Sequence, residues 1–423
     1  MSAENFGGNH PMFDSPMNDQ GLRIKVIGVG MAGSNTVDHL RLNHANEIKL
    51  AVVDTDNKTF GSSTLQEKLL IGRSVTRGLS AGGEAEIGRK AAEADREQLT
   101  KMVEGFDIIF IVSGLSGGTG SGAATVLAEA AFDSGAIVIA FALLPFSHEG
   151  SRRIKQAEET LIHLRGICHA VIPLPNDVLL QEVSEDASVL DAFAVANDWV
   201  ARGVQGICGM ISTNGLINVD FATLRKAFER RGGKTLFGIG FGEGPEYIKQ
   251  ALASLDLCPL LHLPDNKYIR KADTLLVSLM AGTDLPMNAV NSIMEQLTEK
   301  FGSKENTILG AVIDSEMKQS LRICVFGTTD VGTTKVYRPT ERIERAIAAR
   351  AQQSHSQPSA SIPANKPNIA PSKSPKPGED QEEFTFSSNE EQRGLFSKTD
   401  ANLHDGNDLD VPTYLRQGIK IQL

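Results

Sequence analysis

Residues 113–122 of this chain read Ser-Gly-Leu-Ser-Gly-Gly-Thr-Gly-Ser-Gly, directly after an apolar run that ends at Val112. Five glycines in nine positions would destabilise a regular helix or strand, but they let backbone N–H groups converge on anionic oxygens. Thr119 and Ser121 add hydroxyl donors, and a helical pattern begins at Ala123. The stretch therefore predicts a loop that binds phosphate groups. The alternative is a flexible glycine loop without a ligand.

A second glycine-rich turn lies near the start of the chain, where Gly28, Gly30 and Gly33 separate an apolar run from a helical segment. Asp54 follows the next apolar run, about 20 residues further on, which matches the dinucleotide-binding fingerprint. Taken alone, this turn fits NAD, a mononucleotide or a purely structural role. The loop at 113–122 favours a mononucleotide, because a dinucleotide fold does not need a second phosphate cradle.

Apolar runs alternate with helical segments along the first half of the chain. The continuous apolar runs lie at 23–28, 48–53, 107–112 and 136–144. Amphipathic stretches at 84–103 and 123–133 separate them. This alternation predicts an α/β domain whose mainly parallel sheet is covered on both faces.

A long helical stretch at 188–205 follows and leads to a second globular segment, which extends to about residue 332. Strand-like runs in that segment lie at 275–279, 307–313 and 321–326. The composition then changes, and six of the 17 prolines fall between Pro358 and Pro377. Such a segment lacks the apolar side chains that offset chain entropy, so we expect disorder. The apolar cluster 409–416 at its end is typical of a docking peptide, and a tail without function is the alternative.

The overall composition excludes several classes of protein. The chain has 423 residues and a net charge of −10, which argues against a nucleic-acid binder. Its four cysteines form no CxxC pair, which is typical of buried thiols in a reducing compartment rather than of zinc or disulfide sites. The first 20 residues do not read as a signal peptide, and no apolar run approaches the ~20 residues of a membrane span. We therefore expect a cytosolic protein without direct membrane insertion.

The loop from Gly114 to Gly122 resembles the GGGTGTG loop of the bacterial division GTPases in the tubulin/FtsZ family. The similarity covers roughly residues 22–330 and the terminal peptide. It implies a Rossmann-like GTPase domain, a central helix and a C-terminal α+β domain. It also implies GTP and GDP rather than NAD, with Mg²⁺ held through the GTP phosphates and no metal ligand assigned to the protein.

The domain boundaries that follow combine the patterns with this resemblance. We expect a disordered N-terminal tail at 1–20, a GTP-binding domain at 21–187 and a central connecting helix at 188–205. An α+β domain at 206–332, a disordered linker at 333–407 and a docking peptide at 408–423 complete the chain.

The resemblance also implies which residues contact the nucleotide. Phe193 would stack on the base, and Asn35 and Asn197 would hydrogen-bond the guanine edge. Glu149 would bind the ribose hydroxyls, with Arg153 near the α- and β-phosphates and Asn176 in another nucleotide-side loop. The expected phosphate-binding residues are Gly30, Gly33, Ser34, Ala81, Gly82, Gly117, Gly118, Thr119 and Gly120. Without the resemblance, Glu149 and Arg153 would read as an exposed i,i+4 ion pair and Phe193 as a core residue.

Asn218 and Asp220 resemble the catalytic loop that one subunit of this family inserts against the γ-phosphate of its neighbour. Thr223 stands where the family has a second acid, so the resemblance implies slow hydrolysis in which Asp220 carries most of the catalysis. A non-hydrolysing GTP-dependent filament scaffold is the alternative, and a simple helix N-cap is the reading of Asp220 without the resemblance. Met31, Asp54 and the pair Glu84-Ala85 also depart from the family pattern.

The resemblance implies partners as well. Subunits would associate head to tail into open protofilaments that form the division ring at midcell in the cytoplasm. Membrane-tethering division proteins would bind the peptide from Asp410 to Arg416.

Overall fold

A computed structural model describes part of the chain, in two separate units, Met1–Gln352 and Gln353–Leu423. The described residues are 22–40, 42, 48–179, 181, 188–211, 215–229, 231–263, 272–302, 306–329, 403–404 and 407–408. In the second unit, β12 (Leu403–His404) pairs antiparallel with β13 (Asn407–Asp408). The predicted disordered tail at 1–20 and almost all of the predicted linker and docking peptide lie outside the described residues.

A six-stranded parallel sheet forms the first domain, in the order β3-β2-β1-β4-β5-β6. Its strands are β1 (Ile24–Val29), β2 (Ile48–Asp54), β3 (Glu67–Leu70), β4 (Ile108–Gly114), β5 (Ile137–Leu144) and β6 (Ala170–Pro175). Its helices are α1 (Gly30–Asp38), α2 (Asn57–Ser62), α3 (Arg73–Thr76), α4 (Ala85–Ala94), α5 (Arg96–Val103), α6 (Gly118–Asp133), α7 (Ser151–Ile167) and α8 (Asn176–Leu179). The prediction of an α/β domain with a parallel sheet is confirmed.

Helices cover both faces of this sheet, which explains why its strands are continuously apolar. In β4, Phe110 and Val112 point into one core cluster, and Ile109 and Ile111 point into the other. The first cluster continues onto Trp199 of the central helix, and the second onto α6 and α7. Alternate residues of each strand therefore pack into different core layers, one on each face of the sheet, and both layers exclude water.

Two of the predicted helices have different bounds in the structure. The stretch 84–103 is two helices, because Asp95 leaves helical geometry and its Oδ2 accepts from the backbone N–H of Gly72 at 2.6 Å. The helix expected from Ala123 begins at Gly118. Three glycines of the predicted phosphate loop, Gly118, Gly120 and Gly122, therefore lie within helix α6.

The central helix α9 (Val189–Ile211) continues six residues past the predicted end at Gln205. It leads into a five-stranded sheet of order β7-β10-β9-β11-β8. The strands are β7 (Gly215–Ile217), β8 (Lys234–Glu243), β9 (Thr274–Ala281), β10 (Thr307–Ile313) and β11 (Ser320–Thr329). The helices are α10 (Phe221–Ala227), α11 (Tyr247–Asp256) and α12 (Met287–Phe301). Only β9 and β10 pair in parallel, so the expected α+β architecture is confirmed.

Candidate functional site

The candidate site lies at the carboxyl edge of the parallel sheet, where ligands of such folds usually bind. Strands β1 and β4 pair in register at Val29 and Ser113. Helix α1 begins at the next residue after β1, and α6 begins four residues after β4. The two helices therefore start side by side at the same edge.

Both helix N-termini are suited to an anion. Within the described residues, neither N-cap, Val29 for α1 nor Gly117 for α6, has a side-chain cap, and neither first turn holds an acid. The first N–H groups of a helix have no intrahelical partner and carry the positive end of the helix dipole. Gly30 adopts φ +70°, and a Cβ there would lie 2.9 Å from the N atom of Gly120. Only glycine lets the two termini approach so closely.

The segment Ala81-Gly82-Gly83 lies against the same place. A Cβ on Gly118 would approach the Ala81 Cβ to 2.9 Å and the Glu84 N atom to 2.7 Å. Gly82 and Gly83 have φ of +60° and +81°, and no described atom lies within 4 Å of an ideal Cβ on either. The structure thus brings together the three segments in which phosphate-binding residues were predicted.

Buried hydroxyl groups line this edge. Thr119 Oγ1 lies 2.7 Å from Thr55 Oγ1, and both residues are buried. Ser34 Oγ in α1 is buried and has no hydrogen-bond partner among the described residues. Such a group is costly unless a ligand or water satisfies it. Asn35, the next residue along α1, is exposed.

Three side chains hold the loop before α6 in place: Ser113 and Gln156, which the sequence analysis did not assign, and Ser121, which it expected to donate to a phosphate group. Ser113 Oγ donates to the Gly120 carbonyl oxygen at 2.8 Å, and Ser121 Oγ donates to the Leu115 carbonyl oxygen at 2.7 Å. Gln156 of α7 donates to Ser121 Oγ at 3.2 Å. Ser113 and Ser121 lay within the quoted stretch, but a local pattern gives no signal for Gln156.

The predicted ribose loop lies between β5 and α7. Glu149 accepts from the backbone N–H of Phe146 at 2.9 Å and from Arg153 at 2.8 Å. Partial burial tends to raise the pKa of Glu149, but these two hydrogen bonds outweigh it and hold the pKa below its usual value. Asp177 Oδ2 accepts from the backbone N–H of Ser147 at 2.8 Å, so it ties this loop to the start of α8. The i,i+4 ion pair therefore exists, in a loop with fixed geometry.

Asn176 begins α8 directly after β6, at the same edge of the sheet. In α9, Phe193 is 50% exposed, which contradicts its reading as a core residue. Asn197, one helical turn further on, is partly buried. A half-exposed aromatic ring near the beginning of a helix is available for stacking.

Three departures from the family pattern have distinct environments. Met31 in α1 is 62% exposed. Glu84 forms an ion pair with Arg152 of α7. Asp54 is buried at the end of β2, and its Oδ1 accepts from the backbone N–H of Thr55 at 2.7 Å. The acid of a dinucleotide site must be accessible to bind the ribose hydroxyls, and Asp54 is not accessible.

Asp220 is the N-cap of α10. Its Oδ1 accepts from the Thr223 backbone N–H at 2.7 Å, and its Oδ2 accepts from Thr223 Oγ1 at 2.9 Å. These two bonds lower the pKa of the exposed Asp220 carboxyl. Asn218 is exposed beside it. The Asp220 carboxylate is thus held by Thr223, the residue at which the sequence analysis expected a second acid.

The residues of the predicted catalytic loop and the predicted phosphate segments lie at opposite edges of the parallel sheet. Arg225 of α10 donates to the carbonyl oxygen of Gly135 at 2.8 Å, just before β5 begins. Strand β5 has eight residues, about 26 Å. Phe193 and Met210 lie 17 positions apart in α9, about 25 Å, and the Val219 N–H bonds to the Met210 carbonyl oxygen at 2.9 Å. The structure therefore does not bring Asp220 to the phosphate site of its own chain.

Three further features concern the described part of the chain. No cluster of three His, Cys, Asp or Glu side chains there could hold a metal ion. None of the helices described there is long and apolar enough to cross a membrane. The four cysteines form no disulfide in the described part of the chain, and burial raises the pKa of Cys168 and Cys324 to about 12.

The fold and this edge define a class of protein: an α/β domain with an anion site between two helix N-termini, joined by a long helix to a second domain. Two family models match the chain, the GTPase domain of the Tubulin/FtsZ family at residues 23–184 and the C-terminal domain of the FtsZ family at 233–331. A cell division protein FtsZ from Azotobacter vinelandii is 36% identical over 310 residues, which cover 73% of this chain and 77% of the relative. The chain therefore belongs to the tubulin/FtsZ family of cell-division GTPases.

Solved structures agree with this family. The chain is similar to an FtsZ dimer from M. jannaschii, with 30% identity, a TM-score of 0.65 and coverage of 74% of this chain and 89% of that one. It also shares the fold of CetZ2 from Haloferax volcanii, described as a GTPγS-bound protofilament, with 22% identity and a TM-score of 0.61 over 79% of this chain and all of that one. Members of the family bind GTP and GDP, which decides against the NAD reading.

Proposed function

We propose that this protein binds GTP and GDP at the carboxyl edge of the parallel sheet and hydrolyses GTP between two subunits. The residues present fit the phosphate groups of such a nucleotide on three grounds. Two uncapped helix N-termini face the same space, the buried Ser34 Oγ lacks a partner among the described residues, and Gly82 and Gly83 leave room beside them. Each of these features suits a polyphosphate.

In this proposal each segment has a separate task. The backbone N–H groups of Gly30, Gly118 and Gly120 hold the phosphates, together with the hydroxyls of Ser34 and Thr119. Glu149 accepts hydrogen bonds from the ribose hydroxyls, and Arg153 neutralises phosphate charge. Asn35, Asn176 and Asn197 contact the nucleoside, and Phe193 stacks on the base. The remaining predicted phosphate residues are Gly33, Ala81, Gly82 and Gly117.

Mg²⁺ bound through the phosphates would neutralise the negative charge that develops during phosphoryl transfer. The chain itself positions and polarises the attacking water through Asp220 and Asn218. A carboxylate can orient a water and accept its proton, and the amide of Asn218 can hold the same water in place.

The separation of Asp220 from the phosphate segments carries the proposal of a shared site. The Asp220 loop lies near the beginning of β5 and the phosphate segments lie near its end, and the strand between them is about 26 Å long. A second subunit stacked head to tail would bring its Asp220 loop to the first subunit's nucleotide. Such a contact joins different surfaces and does not close, so it generates an open protofilament.

We infer that hydrolysis is slow in this chain. Asp220 accepts two hydrogen bonds from Thr223, and a carboxylate with a lowered pKa is a weaker base. A neutral threonine hydroxyl cannot act as the second base at neutral pH. The same observation favours a second candidate function, a filament scaffold that binds GTP without hydrolysing it.

The biological role follows from the family. We propose that the protofilaments form the division ring at midcell in the cytoplasm. The peptide from Asp410 to Arg416, which lies outside the described residues, would bind membrane-tethering division proteins, with Pro412 and Leu415 as apolar anchors.

The test is phosphate release from Mg²⁺-GTP at several protein concentrations, with sedimentation in parallel. A shared site makes the specific rate rise with concentration as filaments form. A specific rate that is independent of assembly would contradict it. Sedimenting filaments without phosphate release would favour the scaffold instead.

A further inference from the structure

Asp54 lies beside one of the helix termini that form the proposed phosphate cradle, the surface made by the N-termini of α1 and α6. Strands β1 and β2 pair in register up to Val29 and Val53. The next residues are Gly30, which opens α1, and Asp54 itself. Because neighbouring strands lie about 5 Å apart, the Asp54 backbone is one strand spacing from the start of α1.

The Asp54 carboxyl is buried and only half satisfied. The residue is 2% exposed. Its Oδ1 accepts from the backbone N–H groups of Thr55 at 2.7 Å and Asp56 at 3.2 Å. Its Oδ2 is buried without a hydrogen-bond partner in the described part of the chain. Burial penalises the charged form and raises the pKa of Asp54 to about 6, although the two backbone hydrogen bonds offset part of the effect.

A short path connects Asp54 to the cradle. Thr55, whose N–H bonds to Asp54, places its Oγ1 2.7 Å from Oγ1 of Thr119 in the first turn of α6. Thr76 Oγ1 donates to the Thr55 carbonyl oxygen at 3.3 Å and fixes this residue from the other side. Asp54 is therefore one residue and one hydrogen bond from a predicted phosphate ligand.

The surroundings of Asp54 offer little positive charge. Asp56, in the same turn, raises the pKa of Asp54 by repulsion. In β3, Leu70 stands opposite Asp54 in register, and the Lys68 ammonium group donates to the carbonyl oxygens of Phe60 and Ser63. The Ile71 N–H donates to the Asp54 carbonyl oxygen at 2.9 Å, and Arg73 and Arg77, which follow it, are both exposed. Asp95 accepts from the Gly72 N–H at 2.6 Å. None of the groups that shift the pKa of Asp54 is a cation, so further negative charge at the cradle would act on a carboxyl group that no cation stabilises.

We propose that binding of a guanine nucleotide is coupled to uptake of a proton by Asp54, so that nucleotide affinity falls as the pH rises. The inference rests on the proposed nucleotide site. A diphosphate brings at least two negative charges to the cradle, and like charges disfavour an ionised carboxyl group. Linkage is reciprocal, so protonation of Asp54 strengthens nucleotide binding by the same factor.

The test is calorimetric titration of the full-length protein with GDP at pH 6, 7 and 8, in two buffers that differ in ionisation enthalpy. The three proteins are the wild type, Asp54→Asn, and Asp56→Asn as the matched control, because an Asn at 56 can still cap α2. If bound GDP raises the Asp54 pKa to about 7 or 8, wild-type affinity falls about 5- to 25-fold more than that of Asp54→Asn between pH 6 and pH 8. The titration of GDP itself is common to all three proteins and cancels.

Three further outcomes are distinguishable. At pH 7 the wild type and Asp56→Asn take up a proton that Asp54→Asn does not, whereas equal proton uptake and parallel pH profiles in all three would overturn the proposal. GDP binding that is absent from all three at every pH would instead contradict the proposed function. Without nucleotide, the urea midpoint of Asp54→Asn should exceed that of the wild type at pH 7.5 and equal it at pH 4. If the two proteins have equal urea midpoints at pH 7.5 as well as at pH 4, Asp54 is not an uncompensated buried charge. That result would also overturn the proposal.

Discussion

At the scale of single residues, Thr223 determines the state of the proposed catalytic acid. Its backbone N–H and its hydroxyl both donate to Asp220. The backbone N–H bond makes Asp220 a helix N-cap, and any residue at position 223 except proline could donate it. The hydroxyl bond depends on the threonine side chain. The resemblance predicts an acid at position 223, and the structure adds that the threonine found there holds the proposed catalytic acid.

Replacement of Thr223 by aspartate should raise GTP turnover about tenfold or more, since a second carboxylate restores a base to the loop. Thr223→Val is the matched control, because it removes the hydroxyl bond to Asp220 without adding an acid. Phosphate release at a protein concentration that saturates assembly measures both. Lower turnover in Thr223→Asp would show that position 223 is not the second catalytic position.

His169 introduces a pH dependence at the other edge of the sheet. Its Nδ1 accepts from the Val138 backbone N–H at 2.9 Å, so this nitrogen is unprotonated. Burial lowers the pKa of His169 to about 4, and Arg231 and Arg225 add to the effect. The unfolded chain takes up a proton near pH 6.5 and the folded protein only near pH 4, so this residue makes stability fall as the pH is lowered through that window.

The expected loss is about 3 kcal/mol between pH 6.5 and pH 4. Asp54 has the opposite effect in part of this range, so the comparison belongs in an Asp54→Asn background. There, His169→Asn, whose amide oxygen can still accept from Val138, should abolish most of the decline. Urea unfolding followed by fluorescence of the single tryptophan, Trp199, measures it. An unchanged decline would mean that His169 is not the group responsible.

At the scale of elements, close packing of α4 on α6 explains much of the glycine in the loop that first indicated a nucleotide. A Cβ on Gly122 would overlap the Ala85 carbonyl oxygen and lie 2.4 Å from Arg89 N, and one on Gly88 would overlap the Gly118 carbonyl oxygen. These glycines are needed whether or not a phosphate binds. The sequence analysis explained the glycines of the loop, Gly122 among them, by phosphate contact alone.

Gly122→Ala should therefore destabilise the protein by about 1–3 kcal/mol even without nucleotide. Gly61→Ala in α2 is the control, because no described atom lies within 4 Å of the added Cβ, and it should be neutral or stabilising by up to about 1 kcal/mol. Urea unfolding of both variants compares them. Wild-type stability of Gly122→Ala together with weak GDP binding would instead support the phosphate explanation.

At the scale of the whole molecule, α9 separates the two halves of the proposed site. The predicted nucleotide residues lie towards its start, and the Asp220 loop follows its end. The N–H of Val171 in β6 donates to Thr235 Oγ1 in β8 at 3.3 Å, which joins the two sheets directly. The Arg225 bond to Gly135 is a second such link. The two domains thus present both halves of the proposed site at a fixed spacing.

Deletion of residues 408–423 should leave GTP-dependent polymerisation unchanged and abolish binding to membrane-tethering division proteins. The reason is that the two halves of the proposed site lie in other segments of the chain. Sedimentation with GTP and co-sedimentation with a tethering protein measure the two properties. Loss of polymerisation in the truncated protein would contradict this separation of roles.

Local patterns predicted those parts of the fold that have a strong local signal. The four continuous apolar runs became β1, β2, β4 and β5, because burial on both faces requires them to be apolar throughout. Strand β8 was missed because Gly238, Gly240 and Gly242 weaken its pattern. The last two let α11 pack against the strand backbone, since a Cβ on Gly240 would overlap the Ala251 carbonyl oxygen. That demand comes from the packing of α11 on the strand, and it leaves no periodic signal within the strand itself.

The sequence by itself determined the parallel sheet, the two glycine-rich turns and the resemblance to the tubulin/FtsZ family, because each depends on residue type at short spacing. Only the tertiary structure decided that Asp54 is buried with an unpaired oxygen, that Gln156 supports the loop before α6, and that Asp220 lies at the edge opposite the phosphate segments. The burial of a side chain and the distance between two residues depend on which segments, far apart in sequence, pack together. Local sequence patterns therefore do not predict them.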